Sequence, residues 1–272
     1  MVVSETPREE ETKRELFETL RTKTLAKLNL RGRMGQPPRR STVTLLTGLS
    51  ETKEDLEKAL EVIAAWRTVA MPPDSKTADD FIGMSASSWR CVLSDIHYLG
   101  RCIHLRHPEI ALEVVVNRPK YGMDMPSLNT ARRLLQGLSQ AREGYNEEQI
   151  LNECLALAEV YPVYGFPPAT QDVVSCSILA KVLFRRIKDN RIRKDQGSEE
   201  LTQAWCAIVA ELKSAIKSWK AQAPSVSNTE ERQLWADLEF IKGKLNHNNM
   251  SGDNGTWIRE FQSKLHTSKR GV

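Results

Sequence analysis

Residue types able to do chemistry gather in two kinds of place: a short run rich in histidine and cysteine, and two crowded sets of arginine and lysine. His97, His104 and His107, with Cys91 and Cys102, form the only cluster of metal-ligand types, and Cys102-Ile-His104-Leu-Arg-His107 is its tightest part. A zinc site usually needs two close ligand pairs well separated along the chain, so that four donors meet from two elements. This spacing fits no common site and both cysteines alternate with apolar residues, so helix packing is the expected role and no metal is assigned. Nucleophilic catalysis would place Ser or Cys beside a base in a pocket, yet no G-x-S-x-G elbow and no catalytic cysteine motif occurs. The phosphate cradles G-x-x-x-x-G-K-[ST] and G-x-G-x-x-G are missing too. The expectation is therefore a protein that is not an enzyme, with no catalytic residues, no cofactor and no small-molecule substrate.

The basic sets say more. Arg185, Arg186, Lys188, Arg191, Arg193 and Lys194 crowd the end of one predicted helix, with Asp189 and Asp195 nearby. A helix C-terminus is complemented by one or two cations, so the surplus reads as contact with RNA phosphate, with dipole complementation as the alternative. Arg31, Arg33, Arg39 and Arg40 stand around Gly32, Gly35 and Pro37-Pro38. They read either as an extended basic arm along an RNA backbone or as a solvated tail. Trp66, Trp89, Trp205, Trp219, Trp235 and Trp257 could in principle stack on bases, but five of the six lie beside helical apolar stripes, where packing is expected.

The elements that must position these residues are helical. The chain has 272 residues, 40% hydrophobic and 27% charged, with a net charge of +4, the profile of a folded chain rather than a disordered one. Its apolar runs stay shorter than the roughly 18 residues that span a bilayer, so no membrane span is expected. Thr52-Lys-Glu-Asp55 matches a capping box ahead of Leu56, Leu60 and Ile63. Pro108 suits a first helical position before Ile110, Ala111, Val114 and Val115, and Pro119 closes that segment. Ser127 caps a helix whose apolar face is Leu128, Ala131, Leu134, Leu135 and Leu138. Asn146 with Gln149 starts another, running through Leu151, Leu155 and Ala158 to Pro162. A helix from about residue 170 to 187 carries Val174, Ile178 and Val182 and must be buried on more than one side.

Further stripes, Leu201 to Trp219 and Leu234 to Leu245, flank a Pro224 break, and a short last helix carries Trp257, Phe261 and Leu265. One strand-like run, Thr42 to Leu46, is too short and solitary to build a sheet. Cysteines 91, 102, 154, 176 and 206 make no CxxC pair and read as reduced thiols among apolar residues.

Three stretches, starting at Ala59, Ala111 and Ala156, share one grammar of helix, Pro-bearing turn and helix. A helical pair cannot hide its apolar face alone, so such units stack. The middle stretch resembles pentatricopeptide repeats in Ala111, Leu112, Gly122, Pro126, Thr130, Leu134 and Leu135, and Gly165, Pro167 and Pro168 repeat its turn. The resemblance covers roughly residues 56 to 190, with copies irregular in length, so the family's base-reading positions are not carried over. The run from His104 to Leu135 further resembles a helical-repeat protein of the fungal mitochondrial small ribosomal subunit.

The resemblance implies an all-α fold of irregular helix-turn-helix repeats, an α-solenoid with a helical C-terminal extension. It divides as a basic arm (1–50), a degenerate repeat domain (51–197) and C-terminal helices (198–272). It also implies a structural scaffold of the mitochondrial small ribosomal subunit, in contact with ribosomal RNA and neighbouring ribosomal proteins in the matrix. The alternative is a free pentatricopeptide-type RNA-binding factor in mitochondrial RNA processing or translation. Glu9, Glu10 and Glu11 sit among the early arginines, whereas a transit peptide is poor in acids, so no intact presequence is expected; without import the chain would be cytoplasmic.

Overall fold

The computed structural model describes residues 7–29, 41–68, 101–125, 127–193, 197–219, 228–248 and 255–270. Among these residues the fold is all helical, without a strand. The helices are α1 (Pro7–Asn29), α2 (Ser41–Leu49), α3 (Lys53–Thr68), α4 (Arg101–His104), α5 (Pro108–Val116), α6 (Arg118–Tyr121), α7 (Leu128–Leu138), α8 (Glu147–Val160), α9 (Val173–Arg193), α10 (Ser198–Ser218), α11 (Asn228–Asn248) and α12 (Thr256–Arg270). A 3-10 turn, Pro162–Tyr164, follows α8. The chain forms two compact units, Met1–Thr130 and Ala131–Val272, a division that falls inside the stretch read as repeats.

In the first unit, α1, α2 and α3 pack on one another. Part of the stretch expected as an extended arm is thus helical. Phe17, Thr24 and Leu28 of α1 are buried on one face, and ion pairs fasten that helix to α3: Glu18 to Lys58 at 2.5 Å and Arg21 to Glu61 at 2.6 Å. The run Thr42 to Leu46, read as strand-like, lies in α2. Its buried residues Val43, Leu46 and Thr47, with Ser50 just past its end, recur at helical spacing. The Thr47 and Ser50 hydroxyls donate to the Val43 and Leu46 carbonyls four residues back. Burial of one helical face outweighs the β preference of Thr and Val, which amounts to tenths of a kcal/mol per residue.

The capping box of α3 is present: the Asp55 amide donates to Thr52 Oγ1 (3.2 Å) and the Thr52 amide to Asp55 Oδ2 (3.0 Å). Pro108 opens α5 as expected, but Pro119 stands inside the first turn of α6 instead of closing the segment. α6 packs on α5 and α3. The Ser127 hydroxyl accepts from the Thr130 amide at the start of α7.

The second unit is organised around α9, which packs against α8, α10 and α11, while α12 packs on α11. Residues Val173 to Ala180 are buried without interruption, as expected of a helix covered on several sides. Asn146 and Gln149 close the capping box of α8. The buried face of α8 is Ile150, Leu151, Cys154 and Leu157, whereas Leu155 is exposed, so the expected stripe is rotated. Leu234, Leu238, Ile241 and Leu245 are all buried, as are Trp257 and Phe261.

Two turns repeat. Pro119-Lys-Tyr121-Gly122 and Pro162-Val-Tyr164-Gly165 each end in a left-handed glycine, at φ 66° and ψ 17° for Gly122 and φ 73° and ψ 16° for Gly165. A residue with Cβ is strained there, which explains the glycine in both.

Candidate nucleic-acid interface

The basic end of α9 is partly committed within the protein. The Arg185 guanidinium donates to the Ser139 carbonyl (2.5 Å) and lies 3.1 Å from Glu147. Arg186 pairs with Glu148 (2.9 Å) and with Asp189 on its own helix (3.3 Å). Glu147 and Glu148 occupy the first turn of α8, where carboxylates complement the helix dipole, so Arg185 and Arg186 tie α9 to α8. Lys188 and Arg191 are exposed and have no ion pair among the described residues. These two can meet a phosphate at no internal cost. The Arg193 side chain lies outside the described residues, as do Lys194 and the arm residues Arg31, Arg33, Arg39 and Arg40.

At the opposite end of α9 lies a buried polar network absent from the expectations above. Arg132 of α7 donates twice to Asp172, Nε to Oδ2 at 3.0 Å and Nη2 to Oδ1 at 2.5 Å. Asp172 also caps α9, accepting from the Ser175 amide (3.0 Å) and hydroxyl (2.7 Å), and Tyr161 OH lies 3.0 Å from Ser175 Oγ. Burial disfavours the Arg132 charge, but the facing carboxylate more than offsets this and holds the guanidinium above its ordinary value. Burial also pushes the Tyr161 phenol up. Such a network fixes where α7 and the turn before α9 meet.

The described residues of the histidine and cysteine run do not converge. Cys102 is fully buried with its thiol pushed up by burial, His104 is exposed, and His107 Nδ1 lies 3.0 Å from Glu109. Cys91 and His97 lie outside the described residues. Burial raises the Cys154 and Cys176 thiols to about 12, which leaves them unreactive at neutral pH.

No protein-family model, curated protein or solved structure matches the chain. What it can do is therefore read from its own side chains. Trp205 is buried, with Nε1 donating to the Ala180 carbonyl and its ring edge-on to Phe184 at 5.4 Å; Trp219 packs edge-on to Phe261 at 5.8 Å. Trp66 and Trp257 are buried as well, and Trp89 lies outside the described residues. Trp66, Trp205, Trp219 and Trp257 thus pack within the protein. No helix among the described residues is long and apolar enough to cross a membrane.

Proposed function

We propose that this chain is a structural component of the mitochondrial small ribosomal subunit, a helical-repeat scaffold in the matrix that touches ribosomal RNA phosphates and neighbouring ribosomal proteins. The observation that carries the reading is the pair of matched turns. Gly122 and Gly165 take one backbone geometry behind the same Pro-x-Tyr run, where the repeat grammar places its turn. Lys188 and Arg191 supply charge for phosphate contact, a sequence-independent interaction that suits a scaffold. The buried network at Asp172 fits the same reading, since it stiffens a helix junction.

Affinity purification of the full chain from its own cells, followed by mass spectrometry of what comes with it, tests the reading. Small-subunit ribosomal proteins and their RNA are the expected companions. One transcript bound selectively, without ribosomal proteins, would favour a free RNA-binding factor instead.

A further inference from the structure

In the first unit, Arg67 at the end of α3 meets Arg118, Pro119, Gly122 and Asp124 around an open cleft of about 450 Å³. Arg118 Nε lies 2.5 Å from Asp124 Oδ1, and Lys120 is taken up by Glu113 at 3.3 Å. Arg67 is exposed and has no ion pair or hydrogen bond among the described residues. Its side chain lies across Gly122, where a Cβ would stand 2.7 Å from Arg67 Cδ and 3.1 Å from Nε. The missing side chain thus seats the arginine, and the left-handed φ of the same glycine keeps other residues out. Among the described residues two guanidinium groups stand against one carboxylate at the cleft, a surplus of positive charge there. A guanidinium fork matches phosphate oxygens, and the bare glycine leaves it room at the cleft. No aromatic face among the described residues lines the cleft, and the adjacent Tyr121 is buried with its hydroxyl on Glu113.

We propose that this cleft binds a phosphate group of an RNA strand, held by Arg67 and Arg118 without reading the base. The source of the phosphate rests on the RNA-contact reading above; the chemistry of the cleft does not.

Fluorescence anisotropy of the full chain with labelled oligouridylate and oligoadenylate tests this. Both probes should bind equally, and Arg67→Gln with Arg118→Gln should weaken both about tenfold or more. The slope of log affinity against log salt should fall by about 1.4 for two cations lost against a single strand. Arg67→Gln alone, which breaks no ion pair, should retain the circular dichroism melt and still lose affinity. Wild-type binding by both Arg67 variants, with weakening only in Lys188→Gln/Arg191→Gln, would overturn the cleft and leave the RNA reading standing. Failure of the wild-type chain to bind either probe would overturn both.

Discussion

Asp172 accepts hydrogen bonds from three sources at once: the Arg132 fork, the Ser175 amide and the Ser175 hydroxyl. Asp172→Ala takes the bidentate carboxylate away from a buried, charged Arg132 and leaves it the field of Glu230, a change that costs about 3–5 kcal/mol. In urea unfolding that variant should lose most of the stability of its unit, and Arg132→Met with Asp172→Leu should recover much of it. A small loss for Asp172→Ala alone would mean that the carboxylate does not hold the guanidinium. Leu157 and Leu155 make a second residue-level comparison. Leu157→Ala should cost about 2–5 kcal/mol, and Leu155→Ala should stay within about 0.5 kcal/mol. The sequence reading chose the Leu155 stripe because α8 carries two overlapping apolar stripes, each at helical spacing, and only packing on α9 chooses between them. The Arg132 network was hidden for a related reason: Asp172 is a local cap for α9, but its ion-pair partner stands 40 residues away and carries no local signal.

At the scale of elements, local chemistry was the legible part. The boxes at Thr52 and Asn146 and the cap at Ser127 each satisfy amides within three residues, so their signal is contained in the sequence itself. α2 was not legible, because Thr and Val favour strands locally and the burial that outweighs them comes from α1 and α3. α11 yields a pH prediction. Asp237 is fully buried, with Lys181 at 2.7 Å and Gln233 at 2.9 Å sharing one oxygen, and burial holds its carboxyl above the ordinary 3.8 despite Lys181. The folded chain therefore keeps a proton that the unfolded chain releases. Stability should fall as pH rises from the ordinary value through the raised one, and Asp237→Asn should remove that decline in urea titrations across the acid range. Glu18 acts in the opposite sense. The Lys58 hydrogen bond holds its carboxyl below the ordinary value, so its contribution is lost as pH falls through and below the ordinary glutamate range.

For the whole molecule, the all-helical class followed from apolar periodicity alone, since a 3.6-residue repeat of buried positions runs through nearly every described segment. The basic surface was legible only as composition. Six cations at the end of one helix look alike in sequence, yet the fold assigns Arg185 and Arg186 to the first turn of α8 and leaves Lys188 and Arg191 outward. Charge reversal therefore divides the set: Arg186→Glu should destabilise the fold, and Lys188→Glu with Arg191→Glu should spare the melt while weakening assembly. The most direct measurement of the scaffold reading is sedimentation of the full chain through a sucrose gradient of mitochondrial lysate at moderate salt. The account predicts that the protein travels with the small ribosomal subunit and that the Lys188→Glu/Arg191→Glu variant shifts toward the top. A wild-type chain found wholly at the top, as a free protein, would contradict it.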